Sequence, residues 1–306
     1  MSERLAADLG ARLGGAVTDL RRLSGGASRE TWAFVLDDQR RLILRRDPPI
    51  APKSGMVREA ELLRAAAAAG VPVPELVDAS DDPEVLGSAY LVMVHVDGET
   101  IPRKILRDAE YADARPKLAR QCGEILARLH TIDPDAVEGL EEVDQVTQYR
   151  AVLNSVGQPH PTFELAFRWL EEHRPDGNRR TVVHGDFRNG NVIVGPEGVR
   201  AVLDWELAHT GDPMEDLGWL CVKSWRFGVD LPVGGFGTYE DLAAGYGDDV
   251  DLEALRWWEI LGTLKWGIMC IMQTVAHTSG MRRSVELAAI GRRVCEVEWD
   301  LLEVLS

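Results

Sequence analysis

The rhythm of apolar and polar positions changes about a third of the way along this chain. The first hundred residues favour short strands. Residues 31–36 (Thr-Trp-Ala-Phe-Val-Leu) and 41–46 (Arg-Leu-Ile-Leu-Arg-Arg) flank the polar turn Asp37-Asp38-Gln39-Arg40, and each has the length and β-branched or aromatic content of a strand. A short N-terminal helix precedes them. Residues 54–69, with Leu62, Leu63 and an alanine run, predict a helix that stops at Gly70, since Pro72 and Pro74 prevent continuation. Two further strands are expected near 75–79 and 90–96, and Asp97-Gly98 closes this layer.

Beyond this point the period becomes helical. Leu118, Cys122, Ile125, Leu126 and Leu129 recur at helical spacing within 114–131, and 162–173 forms a second amphipathic segment. Helices are expected again over 216–224, 239–246, 251–277 and 281–305. Between these blocks lies an interlude of another kind. Residues 181–183 are apolar, and the aliphatic runs 191–194 and 199–203 surround Gly195-Pro196-Glu197-Gly198, a strong turn signal. Together these elements predict an α+β, bilobal protein. A small antiparallel-sheet lobe (1–97) precedes a larger, mainly helical lobe (98–306), with ligands expected between them.

The candidate chemistry sits in that interlude. His184-Gly185-Asp186-Phe187-Arg188-Asn189-Gly190-Asn191 has the His-x-Asp-x-x-x-x-Asn spacing of a kinase catalytic loop, and Asp204 follows Asn191 by thirteen residues. The hairpin would bring Asn191 and Asp204 together at its open end. Two oxygen ligands there suit a hard cation such as Mg²⁺, with phosphate and water completing the shell. Asp186 would then be free to orient a hydroxyl and take its proton. His184, Asp186 and Arg188 form the expected catalytic set. Surface carboxylates at the turns of an ordinary hairpin are the plainer alternative, but the joint pattern favours ATP-dependent phosphoryl transfer.

Composition narrows the classes further. The chain has 306 residues, 45% apolar and 27% charged, enough for a large core in two lobes. Its 34 basic and 50 acidic residues give a net charge of −16, which disfavours nucleic acid or an anionic membrane as partner. Cys122, Cys221, Cys270 and Cys295 are scattered without any Cys-x-x-Cys pair, as expected for thiols in a reducing cytoplasm. No apolar signal core is visible at the N-terminus. Residues 261–276 are apolar, but Lys265 and Gln273 interrupt them, so a buried helix is expected rather than a span. These features point to a cytoplasmic protein, and the catalytic-loop pattern to a small-molecule hydroxyl substrate.

The segment 183–191, followed by Leu203-Asp204-Trp205-Glu206, Gly211-Asp212-Pro213 and Asp216-Leu217, resembles the aminoglycoside phosphotransferase family. The likeness is greatest to the branch found as kinase-like domains in certain acyl-CoA dehydrogenases. It spans roughly residues 23–220. The resemblance implies a protein-kinase-like fold, ATP or GTP as donor, Mg²⁺, and transfer to a hydroxyl. By it Asp186 is the base, Asn191 and Asp204 are metal ligands, and Asp216 secures the catalytic loop. Arg45 takes the position of the family's nucleotide-binding Lys, Glu59 that of its partner. Arg for Lys departs from the commoner pattern, and strand alternation alone leaves Arg45 and Arg46 undecided.

Ser24, Gly25, Gly26 and Ser28 would cover the phosphates with backbone N–H groups. Met93, Val94, His95 and Val96 would link the lobes and meet the base of the nucleotide. Glu206 is a further candidate contact, and His209 has no evident role. The acceptor is open between hydroxyacyl compounds, aminoglycosides and other alcohols. Asp248, Asp249, Asp251 and Glu253 read more simply as a solvated loop and helix start than as an ammonium site. A nucleotide-binding scaffold without transfer activity is the second reading, motivated by the Arg. A metal-dependent hydrolase is a third, but it would leave Asn191 without a purpose.

Overall fold

The computed structural model describes residues 2–23, 29–37, 39–48, 55–176, 179–247 and 250–306. Its N-terminal lobe is built on an antiparallel sheet of β1 (Val17–Arg22), β2 (Glu30–Leu36), β3 (Arg41–Arg46), β4 (Leu76–Ser80) and β5 (Tyr90–Val94), in the order β1-β2-β3-β5-β4. Register divides the side chains between two faces. Trp32 pairs with Leu44 and Phe34 with Leu42, and Leu44 pairs in turn with Val92. These residues pack with Leu5 and Leu9 of α1 (Ser2–Leu13) and Leu86 of α3 (Pro83–Leu86). Arg45 pairs with Thr31 and Leu91, and Ile43 with Ala33 and Met93, so they belong to the opposite face. That face meets α2 (Met56–Ala68), which buries Met56, Ala60 and Leu63 together with the carboxylate of Glu59. Gly70 follows α2 with φ +81°, the left-handed C-terminal stop expected of it.

The second lobe is mainly helical. It comprises α4 (Pro102–Arg107), α5 (Arg115–Leu129), α6 (Gln145–Val156), α7 (Pro161–Glu172), α8 (Met214–Cys221), α9 (Tyr239–Tyr246), α10 (Leu252–Thr278), α11 (Val285–Ile290) and α12 (Arg293–Leu305). Two strand pairs are set among them. β6 (Thr181–Val183) pairs antiparallel with β9 (His209–Gly211), and β7 (Val192–Gly195) forms the expected hairpin with β8 (Gly198–Val202). α10 is buried over most of its length, with Trp257, Ile260, Leu264 and Ile268 in a core shared with Phe163 and Phe167 of α7. No helix among the described residues is long and apolar enough to cross a membrane.

Three differences from the sequence expectation have physical causes. β1 is an edge strand whose residues are half-buried or exposed, with a register break between Thr18 and Arg21, so it lacks the alternation that marks a strand. The run 281–305 is two helices, not one. Gly291 separates them and lies so close to α10 that a Cβ there would stand 2.2 Å from Thr274 Oγ1. The strand expected to reach residue 96 ends at Val94, although the His95 N–H still bonds the Arg41 carbonyl at 2.9 Å.

The contact that places the site is between α8 and α10. A Cβ on Gly218 would sit 2.6 Å from the Cβ of Trp258, and one on Gly262 2.9 Å from Val222 Cγ2. At these two positions the helices approach too closely for any side chain larger than glycine's. Gly218→Val should therefore force them apart and cost about 1–3 kcal/mol or more. Denaturant unfolding checks this; unchanged stability would mean that the close approach is not needed.

Candidate active site

The loop begins where β6 delivers two buried valines, Val182 and Val183, into a tight reversal. Gly185 adopts φ +76°, and a Cβ there would stand 2.5 Å from the Leu207 carbonyl oxygen, so any other residue is excluded sterically and conformationally. The reversal is fixed from below by Asp216, fully buried on α8. Its two oxygens accept the backbone N–H groups of His184 (2.7 Å) and Gly185 (2.9 Å), and His130 Nε2 lies 3.2 Å from one of them. Burial alone would push the Asp216 carboxyl up. The hydrogen bond and charge of His130, with the backbone amide, outweigh it and hold the group below the usual carboxylate range.

His184 is wholly buried. Its Nε2 donates to the Leu203 carbonyl at 3.0 Å, which leaves Nδ1 to accept the Asp186 N–H at 3.2 Å. The ring thus ties the loop to the strand end that carries Asp204, acting on backbone rather than on the cleft. Asp186 receives three donors. Trp219 Nε1 (2.8 Å) and Arg188 Nε (3.0 Å) reach Oδ1, and Asn191 Nδ2 (2.6 Å) reaches Oδ2. Arg188 is itself steadied by the Trp225 ring, 4.6 Å away. Because Asn191 spends its amide N–H groups on Asp186, its carbonyl oxygen remains for another partner.

The hairpin does what its sequence implies. The Leu203 N–H bonds the Asn191 carbonyl at 2.8 Å, and Asp204 follows in the left-handed region at φ 70°, an uncommon conformation for a non-glycine residue. Arg45 then reaches across from β3: its guanidinium lies 2.6 Å from Asp204 Oδ1 and pairs with Glu59. Burial would raise the Asp204 carboxyl, but the Arg45 charge and hydrogen bond more than offset it, so the group stays below the usual carboxylate range. Arg46 instead points to the other face, bonding Glu30 at 2.8 Å over the Trp32 ring. Sheet register therefore selects Arg45 for the cleft.

These groups surround a cavity of about 440 Å³ between the sheet and the hairpin. Arg45, Glu59, Asn191 and Asp204 line one side of it, and Met93, Val94, His95 and Val96 the back. Next to this segment Glu99 and Val194 exchange both backbone hydrogen bonds, at 2.9 and 3.0 Å. Ser24, Gly25, Gly26 and Ser28 lie outside the described residues. Glu206 stands 3.8 Å from Arg29, while His209 turns away to Glu215 at 3.0 Å. Asp251 accepts the N–H groups of Glu253 and Ala254 and caps α10; Asp248 and Asp249 lie outside the described residues.

Several residues of the site carry no sequence signal. Arg29 is a second guanidinium on Glu59, and it also bonds Asp47 at 3.2 Å. Trp219 and His130 act on the loop from α8 and the end of α5. Only the position of Trp219, one helical turn after Asp216, could have pointed to it.

A sequence model of the phosphotransferase enzyme family matches residues 19–258. Acyl-CoA dehydrogenase family member 10 of Mus musculus is 34% identical over 224 residues, 67% of this chain and 20% of that protein. Family member 11 of Gallus gallus is 32% identical over 216 residues, covering 65% of this chain and 27% of the relative. The chain thus spans only a minor part of either. Hygromycin-B 4-O-kinase of Escherichia coli is 25% identical over 64% of this chain and 60% of its own. Among solved structures, a spectinomycin phosphotransferase in complex with ADP and spectinomycin superposes with TM-score 0.70 at 12% identity, covering 98% of both chains. An aminoglycoside phosphotransferase in ternary complex with ADP and hygromycin B gives 0.69 at 18% identity, covering 98% of this chain and 97% of its own. The bilobal α+β fold is common to them.

Asp216→Asn tests how the loop is held. An amide has one acceptor oxygen, so at least one buried loop N–H loses its partner, at about 1–3 kcal/mol. A carboxyl held low in the folded state stabilises above its unfolded value and ceases to do so as pH falls through the depressed one. Acid unfolding of the variant should therefore be less steep than that of the parent. Equal acid profiles would show that Asp216 does not bear this load.

Proposed function

The chain belongs to the phosphotransferase enzyme family, and from that premise we propose that it transfers the γ-phosphoryl group of ATP to a hydroxyl of a small molecule, with Mg²⁺ as the metal. The observation that carries this reading is Arg45, which meets Asp204 at 2.6 Å across 159 residues of chain while pairing with Glu59. One cation is thereby placed between the sheet and the hairpin, where a nucleoside triphosphate would present its phosphates.

The oxygen donors fit a hard cation. Among the described residues no group of three His, Cys, Asp or Glu side chains converges on a metal site. Asn191 and Asp204 would supply two ligands, with phosphate and water supplying the rest. Mg²⁺ so held would neutralise charge on the phosphates. The remaining work falls to side chains. Asp186 accepts the hydroxyl proton of the acceptor and orients its oxygen. Arg188 and Trp219 fix that carboxylate. Arg45 attracts the donor phosphates. Residues 1–97 form the nucleotide-binding lobe and 98–306 the catalytic lobe, hinged at Asp97-Gly98, and GTP is an alternative donor.

Two kinds of neighbour suggest acceptors to try. Solved structures of the same fold hold spectinomycin or hygromycin B, and the sequence relatives are named acyl-CoA dehydrogenase family members. Phosphoryl transfer from Mg²⁺-ATP should therefore be measured against aminoglycosides and hydroxyacyl-CoA thioesters. Acceptor-dependent turnover is expected, falling about 10²–10⁴-fold in Asp186→Asn with the fold retained. Undiminished turnover in that variant would remove Asp186 as the base, and saturable ATP binding without any transfer would favour a scaffold.

A further inference from the structure

Lys265 interrupts the apolar middle of α10 and is 5% exposed, among the least accessible charges of the chain. Burying an ammonium costs several kcal/mol unless partners compensate, so its partners are informative. Its Nζ lies 3.3 Å from the Gly185 carbonyl and 3.4 Å from Glu215 Oε1, and 4.8 Å above the Trp219 ring. Burial would push the ammonium down, but Glu215 holds it above its ordinary value; Glu215, lowered in turn, stays charged as well.

Those partners converge on one peptide. The Gly185–Asp186 unit has its N–H on His184 Nδ1 (3.2 Å) and its carbonyl on Lys265. Both ends are held, so the plane of the peptide and the direction in which Asp186 leaves it are fixed. The same ammonium sits on the indole whose Nε1 donates to Asp186 Oδ1 at 2.8 Å. Glu215 is anchored independently, by Gln145 Nε2 at 2.5 Å and His209 Nε2 at 3.0 Å, and so offers Lys265 a stationary counter-charge.

We infer that Lys265 is a positioning residue for phosphoryl transfer: from beneath the loop it sets the Gly185–Asp186 peptide and the Trp219 indole, and through them aims the Asp186 carboxylate. This rests on the reading of Asp186 as the base. It does not touch the nucleotide cavity, whose described lining excludes Lys265, Trp219 and Glu215. Its removal should therefore lower kcat and leave nucleotide affinity alone. A Lys serving only to neutralise Glu215 would be dispensable once Glu215 is neutral.

The experiment compares Lys265→Met with the double variant Lys265→Met/Glu215→Gln, using phosphate release from Mg²⁺-ATP with water as acceptor and hydrogen exchange of the amides of 184–187. Lys265→Met should lower kcat about 10–100-fold, the scale of a misplaced catalytic group, with KM for ATP within about twofold. It should also speed exchange at the loop. The double variant should recover melting temperature but neither kcat nor loop protection. Recovery of all three together, or an unchanged kcat or loop exchange in Lys265→Met, would overturn the inference. Asp186→Asn run alongside separates the two readings: loss there without loss in Lys265→Met rejects only the positioning role, whereas no loss in Asp186→Asn rejects the base itself.

Discussion

The buried carboxylate of Asp216 is the constraint on which the site rests. A loop that reverses within two residues exposes N–H groups that a helix or sheet would otherwise use, and here they point into protein rather than water. Asp216 accepts both, at 2.7 and 2.9 Å. Its own burial is tolerated because His130 and these amides favour the charged form. Everything downstream inherits that anchor: His184 tied to Leu203, Asp186 projected between Trp219, Arg188 and Asn191, and Asn191 set opposite Asp204.

A second tie joins the lobes. Arg45 belongs to the sheet, Glu59 to α2 and Asp204 to the hairpin, and the three meet in one cluster. An Arg in this position presents a planar fork rather than a point charge, which lets it hold two carboxylates at once. Sheet register, with Arg45 opposite Leu91 and Thr31, decides between neighbouring arginines in a way that local alternation does not. Helix packing adds the rest, since the glycines between α8 and α10 bring Trp219 and Lys265 beneath the loop.

What was legible in the chain follows from how local each feature is. Asn191 and Asp204 flank the two ends of one hairpin and Asp186 lies on the loop that enters it, so spacing and turn chemistry suffice to bring them together. Glu59, fourteen residues from Arg45, was expected only through the family resemblance. The helices 239–246 and 251–277 were plain from their period, and the structure moves their bounds by at most a residue. The edge strand β1 was missed because its residues are only half-buried or exposed and show no alternation. The break near Gly291 has no signal in the sequence beyond the glycine itself, which packs closely on Thr274 of another helix. Lys265 was invisible as a site residue for a like reason: it meets the loop from an element far along the chain, and nothing near it in sequence records the contact.

The account turns on whether this cleft holds a metal–nucleotide complex. Calorimetric titration of ATP with and without Mg²⁺, into the wild type and Asp204→Ala, tests that claim without requiring the acceptor. Saturable binding strengthened by Mg²⁺ in the wild type, with the Mg²⁺ dependence lost in the variant, is the predicted result. No binding of ATP or GTP to the wild type, or a Mg²⁺ dependence that survives the loss of Asp204, would contradict the account.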